Sequence, residues 1–310
     1  MLTKKYNDIL NLVLSLICIF FLLIYPMYCI EAAKDGLATA LYIVLPSIFP
    51  FMVLSKFVIS SGIYRYAVKF SGGIFEKLFG VSRQYTAVFI LGCLGGYPIG
   101  SIILSTLLKK NEITINHAEH LAGICNNASP MFVIGTVGTL LLNNIHYGYI
   151  LYAIHIFSVI VCGVVMKIIF NTKPAYISGN TYTKSFSPFS EAVTSSGATM
   201  LNIASYIIIF SVISKFVKLV FKDFDCSFIL CLLEITTGIE YCASSNMPEA
   251  LKIAMISSAI GFSGLCVFSQ SRVVFVESNI SFFKYFLAKT ITAVLSFLSS
   301  YLIFTIIFSH

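Results

Sequence analysis

The sequence predicts an all-α polytopic membrane protein with about seven full transmembrane helices, two re-entrant hairpins and an inverted-repeat, transporter-like architecture. Composition is the first observation. Of 310 residues, 58% are hydrophobic and 11% charged, with a mean hydropathy of +0.91; soluble domains carry roughly a quarter charged residues. The second is a series of apolar runs at about 9–30, 37–60, 86–108, 121–142, 147–170, 192–213, 227–243, 250–276 and 285–308. The third is that VLSKFV (53–58) returns as VISKFV (212–217), each followed by a broken apolar segment and then a polar-interrupted span. No long polar block leaves room for a soluble domain. The net charge of +7 sits in short loops, so it speaks to topology rather than to nucleic acid. There is no phosphate-binding GxxxxGK[ST] loop, so the chain does not itself hydrolyse ATP.

Run 9–30 follows Lys4 and Lys5. It is too long for a signal-peptide core and no A-x-A site follows. Residues 1–34 are therefore expected to form an uncleaved first span with a cytoplasmic N-terminus. Residues 61–85 interleave Arg65, Lys69, Lys77 and Arg83 with Phe70, Ile74, Phe75, Leu78 and Phe79, the pattern of an interfacial helix kinked at Gly72-Gly73. Run 86–108 has no charge, yet Gly92, Gly95, Gly96, Pro98 and Gly100 crowd its middle, where a helix tolerates them least.

If that run crossed the membrane, the basic loops 61–85 and 109–119 would lie on opposite faces, against the positive-inside rule. As a hairpin its limbs of about nine residues reach ~13 Å, near the middle of a ~30 Å core. Residues 1–8, 61–85, 109–119 and 167–190 then share the cytoplasmic side, and 143–147 lies outside. The first repeat is 35–170, the linker 171–190, and the second repeat 191–310 with its hairpin at 227–243. This topology puts Lys215, Lys218 and Lys222 outside, against the same rule.

Paired discontinuous helices in inverted repeats are the mark of a secondary transporter, with its site near the midplane. The returning limbs begin at about Tyr97–Ser101 and Thr237–Ile239, so their positive N-termini point at a ligand. Gly95 and Gly96, beside Tyr97 and Pro98, would bare backbone to a substrate. Asn126, Asn127 and Ser129 interrupt an otherwise uncharged span, and buried amides in lipid need partners. Ser263, Ser269 and Gln270 take the corresponding place in the second half, with Thr236 and Thr237 at the second hairpin tip. Glu234 is an intramembrane carboxylate, a functional residue by default. It is expected to bind a coupling proton or sodium ion, or else to cap the hairpin tip. Lys56 and Lys215 read as span-end lysines reaching the interface, and Arg272 as a boundary charge. His117, Glu119 and His120 in NHAEHL read as a solvated helix start rather than a metal site. The nine cysteines form no C-x-x-C pair and read as small apolar residues. No cofactor is expected.

LGGYPIGS, CNNASPMFVIG, LLEITTGI and GFSGLCVFSQ, in this order and spacing over about residues 35–305, resemble the YlbJ family of sporulation integral membrane proteins. These lie within the wider group that carries the nucleoside-recognition, or Gate, domain. The resemblance implies a role in endospore formation, moving dipicolinic acid across the outer forespore membrane. It also admits a nucleoside-type transporter, since the wider group includes these. A non-transporting assembly protein is a further reading. An enzyme is not expected, because only NHAEHL approaches a catalytic cluster. The expected partners are a small organic anion, a proton or sodium ion, the lipid bilayer and a second copy of the chain, with no nucleic acid.

Overall fold

The computed structural model describes residue 16 and residues 19–61, 72–174, 189–222 and 224–309. All regular elements among them are helices. Helix α1 (Pro26–Ser61) is continuous over 36 residues, with a wide π turn at Ala40–Val44 just before Pro46, whose ring would crowd a regular turn. The break expected near residues 30–37 is absent. EAAKDG is rich in helix formers, and the chain breaks instead at Tyr25, ahead of Pro26 at the first helical position. The first fifteen residues of the expected N-terminal span, and its orientation, fall outside the described residues. So do residues 62–71 and most of the linker.

The remaining elements are α2 (Gly72–Phe79), α3 (Thr86–Gly95), α4 (Ile99–Lys109), α5 (Ile115–Cys125), the π-helical α6 (Met131–Leu141), α7 (Ile145–Phe170), α8 (Phe189–Val220), α9 (Ser227–Leu233), α10 (Ile235–Ala243), α11 (Glu249–Phe262), α12 (Gly264–Glu277) and α13 (Phe282–Ser309). Among the described residues, five segments are long and apolar enough to cross a membrane: Pro26–Ser61, Ile145–Phe170, Phe189–Val220, Glu249–Glu277 and Phe282–Ser309. There are six if Gly73–Phe79 and Arg83–Gly95, inclined at 98°, form one bent span. The count falls below the expected seven because run 121–142 is cut at Asn126–Pro130 into α5 and α6, and run 9–30 is only partly described. The segment Glu249–Glu277 is the central one: 72% of its most apolar stretch is buried, against 28–39% in the other four.

Both broken segments double back. A Cβ on Gly92 would lie 1.8 Å from the Cys125 carbonyl oxygen and one on Gly100 2.0 Å from the same atom. Their Cα atoms are therefore within about 7 Å, whereas eight residues of straight helix span ~12 Å. In the second segment a Cβ on Gly238 would lie 2.4 Å from the Cys231 Cα. That leaves about 4 Å between residues that a straight helix holds ~10 Å apart. Glycine is needed at these positions because backbone packs directly on backbone.

Helices α1 and α8 run antiparallel. The Lys56 ammonium near the end of α1 donates to Thr199 Oγ1 (3.0 Å) near the start of α8. Lys215 near the end of α8 meets Glu31 near the start of α1 (3.1 Å). The two copies of SKFV thus lie at opposite ends of the pair. One end of the molecule gathers Lys109 with Glu277 (3.3 Å), Lys284 with Glu119 (2.6 Å), and His117 with the Lys173 carbonyl (2.9 Å). At the other end Tyr147 packs on Phe304, ring centres 5.2 Å apart. Residues 109–119 and 167–173 therefore share one face and 145–147 the opposite one. His117, Glu119 and His120 are buried, not solvated, because Glu119 joins α5 to α13 through Lys284 and the Ser281 N–H (2.9 Å).

Candidate functional site

Four interruptions of helical structure meet in the middle of the fold. The first lies between α3 and α4, where Gly96 has φ +81° and the Tyr97–Pro98 peptide is cis. The second is the stretch 126–129 between α5 and α6. Gly96 is set against Ser129, its hypothetical Cβ 3.1 Å from the serine Cβ. The third, at Glu234 between α9 and α10, faces the fourth, at Ser263-Gly264 between α11 and α12. A Cβ on Gly264 would lie 3.2 Å from Ile235 N and 3.4 Å from the Leu233 carbonyl oxygen. Tyr97 ties the two halves together by donating its hydroxyl to the Ile260 carbonyl at 2.7 Å.

Between them lies a narrow cavity of about 50 Å³. Gly96, Tyr97, Ser129, Glu234, Thr236 and Gln270 line it, with Val44, Ile48, Ile203 and Ile207 of α1 and α8 closing one side. Two wider cavities flank it. One, of about 460 Å³, is bounded by Asp35 and Thr39 of α1, Ser211 to Lys218 of α8, and Thr237, Glu240 and Tyr241 of α10. The other, of about 490 Å³, is bounded by Pro98 to Lys109 of α4, Thr199 to Tyr206 of α8, and Gln270 to Glu277 of α12. On α8, Thr199 and Lys218 stand ~28 Å apart along the axis, close to the ~30 Å hydrocarbon thickness. The flanking cavities therefore lie toward opposite ends of the molecule, with the narrow one between.

The expected site residues divide into three groups. Gly96, Tyr97, Ser129, Glu234, Thr236 and Gln270 reach the narrow cavity. Pro98 and Thr237 line the flanking ones. Gly95, Asn126, Asn127 and Ser263 line none of the three. Gly95 packs against Ile99, and Ser263 Oγ turns back to the Phe262 carbonyl. Asn126 donates to Tyr285 OH (2.7 Å) and Ser271 Oγ (3.1 Å). Asn127 donates to the Ile124 carbonyl (2.6 Å) and Cys93 Sγ (3.3 Å). Both amides knit helices together behind the cavity wall.

The second expected N-terminus is not free for a ligand. Glu234, 2% exposed, accepts from Thr236 N (3.1 Å) and Thr237 N (2.7 Å) through its two carboxylate oxygens. It is the N-cap of α10 and neutralises the positive end that was expected to face a substrate. Ser129 Oγ likewise accepts from Phe132 N (3.2 Å) at the start of α6. The start of α4 has no side-chain cap, so the first half keeps its positive end.

Two polar residues of the apolar runs escape the sequence patterns. Lys289 in α13 is wholly buried. It donates to the Asn126 carbonyl and to Asn127 Oδ1 (3.3 Å), and lies 5.3 Å from the centre of the Tyr97 ring. His155 in α7, also wholly buried, accepts from the Ala128 N–H at 3.3 Å. The rule that singles out Glu234 would have found Lys289 too, but five residues into run 285–308 it reads as a span-end lysine.

No family model matches the sequence, and no solved structure matches it. The chain is 25% identical over 314 aligned residues, covering 87% of the chain and 76% of the relative, to the sporulation integral membrane protein YlbJ of Bacillus subtilis (strain 168). The resemblance carried by the four motifs thus extends over most of both chains.

Proposed function

We propose that this chain is a secondary transporter of a small organic anion, most specifically dipicolinic acid crossing the outer forespore membrane of a sporulating cell. The observation that carries the reading is the meeting of four helix breaks, two from each half, at one narrow cavity between two wide ones toward opposite ends of the molecule. A protein that only holds others together has no need of interrupted helices around a central cavity, whereas alternating access requires such a site. The sporulation relative supplies the biological setting, and the substrate is the one that the resemblance of the four motifs implies.

The chemistry favours an anion on the first-half side. There the α4 terminus is uncapped and Lys289 stands behind Tyr97, while the Glu234 carboxylate repels a second negative charge from the other wall. Residues 61–85, 109–119 and 167–190 are taken as the cytoplasmic side in this reading, and each doubled-back segment as a re-entrant hairpin. A cavity of about 50 Å³ is smaller than an aromatic dicarboxylate, so loading requires α1 and α8 to move away from the breaks.

Purified protein in liposomes, offered radiolabelled dipicolinate with uridine in parallel and with imposed proton or sodium gradients, tests this directly. Saturable dipicolinate uptake that follows a gradient is the expected result. Uptake of uridine alone would move the chain to the nucleoside branch. Uptake of neither by folded protein would leave the assembly role.

A further inference from the structure

Lys289 has an unusual setting for a buried cation. Its hydrogen-bond acceptors, the Asn126 carbonyl and Asn127 Oδ1, are neutral. The Tyr97 and Tyr285 rings lie 5.3 and 5.9 Å from Nζ. The titratable groups facing it are Cys93 of α3, Tyr97, Cys125 of α5, His155 and Cys162 of α7, and Tyr285 of its own helix. On α12, the Ser271 hydroxyl lies 3.5 Å from Tyr285 OH. From α11, Gly261 abuts Ala293, which leaves Lys252 and Glu249 ~13 Å or more farther along that helix. None of these groups is ordinarily anionic at neutral pH. No carboxylate forms an ion pair with Lys289 among the described residues. Water stabilises an ammonium far better than a protein interior does, so a buried one without a counter-charge is costly.

Oxygens freed at a broken helix are the usual ligands of a coupling cation. At the α5–α6 break one such oxygen, the Asn126 carbonyl, is already occupied by the lysine, as is the side-chain oxygen of Asn127. The carboxylate nearest to that cavity, Glu234, sits on its other wall and is held by its own helix, so an anion that enters on the far side of Tyr97 supplies the charge that compensates the lysine. We propose that Lys289 is the coupling group of the pathway: it holds its proton while an organic anion occupies the central cavity and releases it when the cavity empties. This rests on the transporter reading. On release an N–H bond breaks, the electron pair stays on the amine nitrogen, and the proton passes to water. On loading the reverse occurs, so each anion moves with one proton.

Calorimetric titration of dipicolinate into the detergent-solubilised full chain, repeated in buffers of different ionisation enthalpy, counts the protons taken up. Dipicolinate is fully ionised above about pH 6, so any proton bound belongs to the protein. The wild type is expected to take up about one proton per anion at alkaline pH, where the amine of the empty protein is neutral, and fewer as the pH falls and that amine is already protonated. Lys289→Arg, always charged, is expected to bind without proton uptake at any pH. Lys289→Met is expected to bind at least ~10-fold more weakly. Should the methionine variant fail to fold, the arginine variant and the wild-type proton count still decide. Wild-type binding without proton uptake, or uptake unchanged in Lys289→Arg, overturns the role of Lys289 and leaves the transporter reading standing. Folded wild type that binds no dipicolinate overturns both, because the proton then has no anion to accompany.

Discussion

Glu234 lines one wall of the central cavity and Lys289 lies behind Tyr97 in another, and their surroundings separate their roles. Glu234 accepts two main-chain N–H bonds, so both of its carboxylate oxygens are satisfied by its own helix. In this reading it acts as a cap and a repelling wall. Glu234→Ala should therefore cost about 1–2 kcal/mol, read as a lower thermal unfolding temperature in detergent. Glu234→Gln should fold and bind dipicolinate more tightly, with proton uptake per anion unchanged. Loss of that uptake in the glutamine variant would return the coupling ion to Glu234. The sequence made Glu234 conspicuous because it stands in the middle of its apolar run, six residues from the other charge there, Glu240. It could not show that the carboxylate satisfies its own helix, which depends on local backbone at the hairpin tip. Asn126 and Asn127 were legible as buried amides needing partners, but the partners, Tyr285, Ser271 and Cys93, come from distant segments.

At the level of elements, glycine made the interruptions legible. A glycine-proline cluster in an uncharged run already points to a broken helix, and the structure gives the reason: the limbs close on each other and on the Cys125 carbonyl. The start of α1 was less legible, because the helix-favouring residues between 31 and 36 carry it through a stretch that charge alone marks as a loop. The backbone contacts are demanding. Gly92→Ala and Gly100→Ala each place a methyl within 2.0 Å of the Cys125 carbonyl oxygen, so main chain must move. Each is expected to lose about 3 kcal/mol or fail to fold. Gly197→Ala in α8 meets nothing within 4 Å and should be neutral or stabilising by up to ~1 kcal/mol. Thermal unfolding of the three variants side by side checks the contrast. Equal losses in all three would mean that Gly92 and Gly100 do not pack against the α5 terminus.

For the molecule as a whole, the repeated hexapeptide carries more than its six residues imply. Its lysines mark opposite ends of the antiparallel α1 and α8, as an inverted repeat requires. This also recasts the basic loop after α8. Lys215 pairs with Glu31, and Lys218 lies over the Tyr241 ring at 4.8 Å, both at the wall of a cavity that Asp35 and Glu240 share. Lysines held by such partners are a weak guide to sidedness, because the positive-inside rule describes free loop charge. The arrangement predicts which faces are wet. Asn202 lines one wide cavity and Ser244 the other, and both are exposed, whereas the described native cysteines are buried. In sealed vesicles of known orientation, a membrane-impermeant maleimide should label Asn202→Cys from one side only and Ser244→Cys from the other only, each above the labelling of the parent chain. Addition of dipicolinate should slow labelling at both positions if the two cavities are successive stages of one path. Labelling of both cysteines from the same side would place the two cavities on one face, and the four converging breaks would then enclose a pocket rather than a passage.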